Sequence, residues 1–332
     1  MDNELFPIIW FGLISFALLI YILLDGYSLG IGILFPFIKD AEQRGIMITT
    51  ASPFWDSNQT WLVLSVAGLY GAFPLVYSAL LPALYLPLIL MLMCLFFRGM
   101  TFEFRSKSSS YQWFDIGFGM TTTAVAFIQG MVVGSVVAGR VTSDGNFAEN
   151  VFSGFSWFGL CTGLALVIGY ALLGAAWLII KTDGRLQSSF YRLIRPLMIL
   201  FLLTIFAVFA MTPFVNELIA ERWLQWPHLL APVVTGLMMI ALAILTIRSA
   251  ARRDEKRIIV QIGMMFVLGL TGLLASFYRV MLPPDITLWE AASSRASQQF
   301  LLVGYMMTVP IILGYTTYTY RLFGGKVRES EA

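Results

Sequence analysis

Residues 22–34 read ILLDGYSLGIGIL, an apolar and small-residue run that contains a single carboxylate, Asp25. Residues 51–65 read ASPFWDSNQTWLVLS and place a second carboxylate, Asp56, among polar residues at the start of another apolar run. A carboxylate at the centre of a membrane helix costs about 2.5–3.5 kcal/mol on insertion scales. Such an acid usually faces a bundle interior or a water-filled cavity, so both stretches are candidates for a functional site.

The composition places these stretches in a membrane protein. Of 332 residues, 58% are hydrophobic and 12% are charged, against about 25% charged in soluble domains. The net charge is only +2, and no basic tract with interleaved aromatic residues appears, which excludes a nucleic-acid-binding class. The N-terminus, MDNELF, is acidic where a signal peptide would be basic, so no cleavable leader is expected.

Nine runs are long and apolar enough to cross a membrane, since a span needs roughly 20 such residues and must be helical. They are residues 6–37, 57–76, 79–98, 115–138, 155–180, 193–213, 229–248, 258–281 and 297–322. The second and third runs meet at a short turn near Pro74 and should lie antiparallel. The predicted fold class is an all-α, polytopic membrane protein with one transmembrane domain over residues 1–332.

The distribution of Lys and Arg predicts the orientation of these spans. Seventeen of the 21 basic residues fall in loops 1, 3, 5 and 7 and the C-terminal tail. Only Arg140, Arg222 and Arg295 fall in loops of the other side, and the remaining one, Arg279, lies near the outer end of the eighth span. The positive-inside rule then places the N-terminus outside and the C-terminus in the cytoplasm. Asp25 falls in the inner half of the first span, and Asp56 lies at the cytoplasmic start of the second.

The polar residues around these acids indicate a proton route. Burial of Asp25 favours its neutral form, and a carboxyl that titrates near the working pH can hold and pass a proton; the alternative is a packing acid hydrogen-bonded to another helix. At the second span, Trp55, Asp56, Ser57, Asn58 and Gln59 would form a wet funnel open to the cytoplasm. The simpler interpretation makes Asp56 or Ser57 the helix N-cap and Trp55 an interfacial anchor.

Several other polar and small residues can be explained either by a structural role or by a functional role. Arg98, Glu103 and Arg105 at the end of the third span are either an ion-pair set that holds loop 3 or part of proton access and partner contact. Gln129 lies inside the fourth span and needs a hydrogen-bond partner. Three GxxxG pairs, Gly26/Gly30, Gly130/Gly134 and Gly159/Gly163, favour close helix contacts.

The sequence does not predict a metal centre in this chain. His228, the only histidine, falls in an outside loop, although haems commonly need histidine ligands. Cys94 and Cys161 lie in apolar runs and are expected to be small buried hydrophobes.

Four motifs carry a resemblance to a known family. The stretches 24-LDGYSLGIGIL-34, 52-SPFWDSNQTWLVL-64, 96-FFRGMTFEFRSK-107 and 127-FIQGMVVG-134 resemble subunit II of the cytochrome bd quinol oxidases in order and spacing. The motifs cover about the first 140 residues, and the remainder matches mainly in its pattern of spans. The short chain is similar to the cyanide-insensitive members.

The resemblance implies an activity, partners and a fold. The family reduces oxygen to water with electrons from a membrane quinol. Subunit I carries the haems (b and d, or b-type variants) and forms a pseudo-symmetric heterodimer with the haem-free subunit II. Subunit II consists of two four-helix bundles, here about residues 1–140 and 150–325, plus one peripheral helix. Some complexes add a small single-span subunit, and some hold a structural quinone in subunit II.

The resemblance also implies a role for the two acids. Carboxylates at the positions of Asp25 and Asp56 are proposed in the family to line a proton route from the cytoplasm to the oxygen-reducing haem. Many relatives read Asp-Gly-Phe-Asp where this chain has 25-DGYS-28. Ser28 can relay a proton but cannot store one as a carboxylate can, so the route is altered here if it needs both acids.

Two other interpretations of the chain remain open from sequence. A secondary transporter would use Asp25 as its coupling acid, although no half-to-half repeat is evident and an odd number of spans fits two equal halves poorly. A purely structural assembly partner would carry its acids only as features of helix contact.

Overall fold

The structure, a computed structural model, describes residues 5–108, 111–139, 156–277, 279–283 and 286–327. Its helices are α1 (Leu5–Leu34), α2 (Ala41–Ala51), α3 (Trp55–Ala72), α4 (Pro74–Phe104), α5 (Tyr111–Val137), α6 (Trp157–Lys181), α7 (Gly184–Val215), α8 (Glu217–Leu224), α9 (Leu230–Ala251), α10 (Glu255–Ser276) and α11 (Arg295–Leu322). Short 3₁₀ turns follow α1 and α4. Strands β1 (Val280–Leu282) and β2 (Ile286–Thr287) form an antiparallel pair between α10 and α11.

Eight of the described helices are long and apolar enough to cross a membrane. They are α1, α4, α5, α6, α7, α9, α10 and α11, and each coincides with a predicted span. The remaining predicted span, 57–76, corresponds to α3, which has 18 residues and a polar first turn. An all-α, multi-span architecture is therefore present, as the sequence predicted.

Some predicted boundaries and elements were wrong. The third span begins at Pro74, because proline fits the first turn of a helix, where its missing N–H has no partner to lose. The eighth span ends at Ser276 instead of residue 281, and the chain enters β1 four residues later. The short helices α2 and α8 were missed because they are too short and too polar to read as spans. Arg140 and Arg328, two of the basic residues behind the predicted orientation, lie outside the described residues.

Several helix starts are fixed by side-chain caps. Asp40 accepts a hydrogen bond from the backbone N–H of Glu42 before α2, and Ser156 caps α6 through Gly159. Asn216 and Ser294 cap α8 and α11 in the same way. These side chains satisfy N–H groups that the helix itself leaves unpaired.

Helices α1 and α6 lie at the centre of the molecule. Helix α1 contacts α3, α5 and α6, while α6 contacts α5, α7 and α10. Helix α4 covers α5 and α3, and α9 covers α7 and α10. Helix α11 contacts α3 and α1 from the periphery. Every residue from Asp25 to Phe35 is buried, so the last third of α1 is enclosed on all sides.

Glycines allow the central helices to touch through their backbones. A Cβ atom added at Gly30 of α1 would overlap the carbonyl group of Tyr170 on α6. A Cβ added at Gly174, one turn further along α6, would in turn overlap the backbone of Gly30. The predicted pairs Gly130/Gly134 and Gly159/Gly163 face each other between α5 and α6, where a Cβ on Gly130 would lie 2.7 Å from Gly163 Cα. These GxxxG motifs therefore mediate helix contacts, as predicted.

The basic loops gather at one end of the molecule. Arg44 of loop 1 and Arg105 of loop 3 both bind Asp115 at the start of α5. The Thr50 carbonyl in α2 accepts a hydrogen bond from Trp177 near the end of α6. Lys326 of the tail bridges Asp183 of loop 5 and Glu255 of loop 7. All five segments predicted to be cytoplasmic thus lie at the same end.

Candidate functional site

Asp25 forms an ion pair with Arg98 inside the molecule. The Arg98 Nη2 atom donates to Asp25 Oδ1 at 2.9 Å and to Oδ2 at 3.1 Å. Both residues are completely buried. Asp25 lies at the start of the enclosed last third of α1, and Arg98 reaches it from the last third of α4. The sequence predicted the burial of Asp25 but paired Arg98 with Glu103.

Three buried polar atoms of Arg98 and Ser28 have no hydrogen-bond partner among the described residues. Arg98 Nε and Nη1 make no hydrogen bond within the described part of the chain, and neither does the Ser28 hydroxyl. Ser28 lies three residues after Asp25 and so on the same side of α1. Buried groups of this kind normally bind protein atoms or ordered water. The arrangement is chemically able to hold water beside a charged pair.

Asn58 joins three helices next to this region. Its amide donates to the carbonyl oxygen of Leu24 at 2.9 Å and to the Tyr27 hydroxyl at 3.3 Å. Its carbonyl accepts from the Tyr320 hydroxyl at 3.1 Å, and the two tyrosine hydroxyls are 2.7 Å apart. The predicted funnel residue Asn58 is thus a buried connector between α1, α3 and α11.

The other funnel residues are placed at different depths. Asp56 is exposed in the first turn of α3, and Trp55 stacks on Phe102 of α4 with ring centroids 5.7 Å apart. Gln59 follows Trp55 by one turn, and its buried Nε2 atom has no partner among the described residues. The chain therefore offers polar groups from the exposed start of α3 down to the level of Asn58.

Neither Asp56 nor Ser57 is the N-cap of α3, which corrects that alternative. The N-cap is Phe54, whose side chain makes no capping bond. Helix α3 begins two residues earlier than predicted, so Asp56 lies inside its first turn. The Ser57 hydroxyl instead donates back to the Phe54 carbonyl at 2.9 Å.

The predicted ion-pair set of Arg98, Glu103 and Arg105 does not form. Glu103 is exposed, while the two arginines bind Asp25 and Asp115. Arg105 Nε lies 2.5 Å from Asp115 Oδ1, and Arg44 Nη1 lies 3.1 Å from Oδ2. Asp115 is 2% exposed, so its two cationic partners offset the desolvation of its carboxylate. Glu103 was the expected partner of the two arginines because it is close to them in sequence. In the fold, their partners are acids of other helices, Asp25 of α1 and Asp115 of α5.

Gln129 has hydrogen-bond partners on two neighbouring helices. Its Nε2 atom donates to the Tyr21 hydroxyl at 2.6 Å, and its carbonyl oxygen accepts from the Tyr170 hydroxyl at 3.1 Å. This amide therefore links α5 to both central helices, α1 and α6.

Sequence reasoning missed a contact between α6 and the tail, which we term the C-terminal clasp (Lys181 with residues 323–327). Lys181 Nζ donates to the carbonyl oxygens of Phe323 and Gly325, and the Val327 N–H donates to the Lys181 carbonyl at 2.9 Å. The ammonium group also lies 5.1 Å from the Trp177 ring and 5.4 Å from the Phe54 ring. In the sequence, Lys181 is indistinguishable from an ordinary loop charge.

Lys326 completes the clasp with two carboxylates. It binds Asp183 at 2.9 Å and Glu255 at 2.8 Å. Burial lowers the pKa of Lys326, but the hydrogen bonds to Glu255 and Asp183 outweigh it and raise the pKa above its ordinary value. A raised lysine pKa keeps the bridge charged at neutral pH, and its stabilisation is lost only as the pH rises through that value.

His228 and the cysteines take no part in these clusters. His228 is exposed in the turn before α9. Cys94 and Cys161 are unpaired thiols, and both are half-buried instead of fully buried as predicted, because each lies on a helix face that is only partly covered. Within the described ranges, no group of three or more His, Cys, Asp or Glu side chains could hold a metal ion.

Comparisons with known proteins agree with the family that the motifs indicate. The model of the family described as cytochrome bd terminal oxidase subunit II matches residues 6–323. Cytochrome bd-I ubiquinol oxidase subunit 2 of Escherichia coli K12 is 28% identical, over 99% of this chain and 97% of its own length. Cytochrome bd ubiquinol oxidase subunit 2 of Bacillus subtilis is 23% identical, with 97% of each chain covered.

A solved structure shares the fold. A chain of the bd oxidase from Geobacillus thermodenitrificans superposes with a TM-score of 0.81, over 96% of this chain and 98% of its own. The sequence identity is 17%, so this likeness shows the helical architecture alone.

Proposed function

Because the chain belongs to the family of cytochrome bd terminal oxidase subunit II, and thus to a quinol oxidase complex, we propose that it is the haem-free subunit that holds a haem-bearing subunit I in shape. The complex is a respiratory-chain oxidoreductase, and this chain is a multi-pass protein of a bacterial inner membrane. We further propose that the chain supplies part of a proton path from the cytoplasm to the oxygen-reducing site.

The placement of histidine supports a haem-free role. Protein-held haems commonly use histidine ligands, and the chain has one, in an exposed turn. Haems b and d, or b-type variants, would then be held by subunit I. A small single-span subunit and a structural quinone remain predictions from the family resemblance.

The proposed topology has nine spans, with the N-terminus outside and the C-terminus in the cytoplasm. It counts α3 as a span because α3 packs along α1 and leads directly into α4. The gathering of the basic loops at one end supports this orientation. The helix contacts also support one bundle of α1, α3, α4 and α5, a second of α6, α7, α9 and α10, and α11 as the peripheral helix.

The single observation that carries the proton path is the buried Asp25–Arg98 pair with unpartnered polar atoms beside it. Protons would enter near the exposed Asp56, pass Trp55, Gln59 and Asn58, and reach Ser28 and Asp25. Water bound to the free Ser28, Gln59 and Arg98 atoms would connect these groups. Oxygen reduction would consume protons taken from the cytoplasm, while quinol oxidation would release other protons, those of the quinol, outside. This separation would generate a membrane potential although no proton is pumped across the membrane.

Residues at the end of α4 would hold this entrance in place. Arg105, through Asp115, ties loop 3 to loop 1, and Arg98 fixes α4 against α1. The exposed Glu103 is available for contact with subunit I. The transporter interpretation is not favoured, because the family match and the alignment with an oxidase subunit extend over nearly the whole chain.

The test of the proposal separates a proton role from a role in stability. The complex is purified through the tagged chain, its haem content is measured by a reduced-minus-oxidised spectrum, and oxygen uptake is normalised to haem. Asp56→Asn removes an exposed acid, and the double variant Asp25→Asn/Arg98→Gln removes the buried acid without leaving a lone charge. Both are expected to retain haem and to lower oxygen uptake.

The matched control is Glu42→Gln, which removes an exposed acid at the same end of the molecule. It should leave oxygen uptake unchanged. Full uptake in both Asp variants would overturn the proton path, while a tagged chain that purifies without haem and without a larger partner would overturn the subunit assignment.

A further inference from the structure

A cavity of about 1120 Å³ lies at the basic end of the molecule, between the start of α7 and the end of α9. Four arginines line it, and with the two serines between them they define what we call the basic cavity: Arg185, Ser188, Ser189, Arg192, Arg195 and Arg253. Among the described residues, no acidic side chain contributes to its lining. The oxidase reaction proposed above does not use this region.

The arginines of the basic cavity are not neutralised by carboxylates. None of the four forms an ion pair with a residue in the described part of the chain; Arg192 donates to the Ser189 hydroxyl and Arg253 lies over the Tyr191 ring. The carboxylates of loops 5 and 7, which flank α7 and α9, have cations of their own. Lys326 holds Asp183 and Glu255, and Arg257 holds Asp254. The cavity therefore presents several uncompensated positive charges, which favours an anionic occupant.

The face of α7 that carries these arginines is positively charged at the start of the helix and apolar further along it. Arg185, Arg192 and Ile199 follow each other at seven-residue spacing and share one face of the helix. Beyond Arg195 this face presents Ile199 and Leu203, which are 47% and 64% exposed. On α9 the cavity wall at Ile247 continues to Ile244, which is 47% exposed. A charged cavity thus opens onto an apolar surface that runs towards the membrane interior.

We propose that the basic cavity binds the phosphodiester headgroup of an anionic phospholipid, with its acyl chains lying along Ile199, Leu203 and Ile244. Guanidinium groups match phosphate oxygens in geometry, and serine hydroxyls add donors. Basic pockets between helices at the cytoplasmic surface are suited to anionic headgroups. The adjoining apolar surface selects a lipid over a free phosphate, since a soluble anion would gain nothing from it.

The experiment uses the detergent-purified complex after delipidation. Phosphatidylglycerol, phosphatidylcholine and inorganic phosphate are added separately, and bound lipid is counted by native mass spectrometry alongside the thermal unfolding midpoint. Phosphatidylglycerol is expected to bind and to raise the midpoint, and phosphatidylcholine and phosphate are not. Each basic side chain near an anionic headgroup contributes roughly fivefold to binding, so Arg185→Gln/Arg192→Gln/Arg195→Gln should weaken it on the order of a hundredfold.

The matched control removes three charges from the same end outside the cavity. Arg252→Gln/Lys256→Gln/Arg321→Gln changes exposed residues that do not line it and should bind phosphatidylglycerol as the unaltered complex does. If the triple cavity variant fails to fold, the three single variants replace it, each with a roughly fivefold expected loss.

Several outcomes would overturn the proposal. Equal binding by the cavity variants would show that the arginines do not hold the lipid. Equal stabilisation by inorganic phosphate would identify a free-anion site, and equal binding of phosphatidylcholine would show that charge is not recognised. Cross-linking of Arg195→Cys to the second subunit, with shielding from a water-soluble maleimide, would identify a protein interface.

Discussion

Arg98 is the side chain on which the burial of Asp25 depends. Two oppositely charged groups with no exposed surface offset each other's desolvation only while both are present. The contact to both carboxylate oxygens uses one nitrogen of the guanidinium, and the other two are left for water or a partner chain. The pair therefore contributes to the register of α4 against α1 as well as to any chemistry at this site.

Removing one member of this pair should destabilise the protein more than removing both. Arg98→Gln leaves a buried carboxylate without a counter-charge, for which a loss of about 3–5 kcal/mol in unfolding free energy is expected. The double variant Asp25→Asn/Arg98→Gln should lose clearly less. Thermal unfolding of the purified complex, followed by tryptophan fluorescence, measures the difference; equal losses would show that the charges do not compensate each other.

The sequence identified Asp25 and Gln129 as interior polar residues, because a polar group inside a long apolar run usually faces the interior of a helix bundle. It placed Asn58 in a funnel open to the cytoplasm, whereas Asn58 is buried. It did not identify their partners. Arg98 lies 73 residues from Asp25, and Tyr320 lies 262 residues from Asn58. Such contacts depend on which helices become neighbours, and hydrophobic periodicity carries no information about that choice.

The contact between α1 and α6 has no room for a side chain at its closest point. Gly30 and Gly174 place the two backbones against each other, and the carbonyl of Tyr170 occupies the space that a Cβ would need. A backbone carbonyl group, unlike a flexible side chain, cannot rotate away to make room for a Cβ atom. The two central helices can adopt this distance only with glycine at both positions.

The substitution Gly30→Ala should therefore destabilise the folded protein strongly. Separation of α1 from α6 is expected to cost about 3 kcal/mol or more, at the upper end of overpacking effects. Gly12→Ala on the same helix is the control, because nothing lies within 4 Å of a Cβ at that position. Size-exclusion profiles and thermal midpoints of both variants measure the effect, and a normal Gly30→Ala protein would contradict the described contact.

The C-terminal clasp ties the end of α11 to α6. Lys181→Met removes hydrogen bonds from a charged donor, each worth about 1.5–3 kcal/mol locally, while keeping the apolar stem. The amide of Val327, bonded to the Lys181 carbonyl, should then exchange its hydrogen faster. Hydrogen-exchange mass spectrometry of the tail peptide measures this, with the exposed Lys256→Met as control; unchanged exchange would mean that the tail is held by other contacts.

The helices differ in how well the sequence predicted them. Long apolar runs indicated that the membrane helices exist, and their ends shifted by a few residues where polar turns continue the helix, as at 184–192 of α7. The short α2 and the β1–β2 pair have no such run. Their form depends on contacts with neighbouring segments, so composition alone could not indicate them.

For the molecule as a whole, the side of the membrane on which the basic end lies is the property most open to a direct test. In a Cys94→Ala/Cys161→Ala background, Glu42→Cys and His228→Cys introduce exposed thiols at opposite ends. A membrane-impermeant maleimide should label position 228 in intact spheroplasts and position 42 only after permeabilisation. The opposite pattern would reverse the proposed topology.

The separation of Asp25 and Arg98 along the chain also has a consequence for biosynthesis. The ribosome makes α1 first, so the insertion machinery receives Asp25 while its counter-ion, 73 residues later, does not yet exist. Until α4 has been synthesised, the nascent chain carries an acid without a counter-ion in the last third of α1, which later becomes fully enclosed. Chains stalled before residue 98 should consequently be degraded faster than equally short chains with Asp25→Asn. Formation of the ion pair would then protect a chain from degradation only after α1 and α4 have packed against each other.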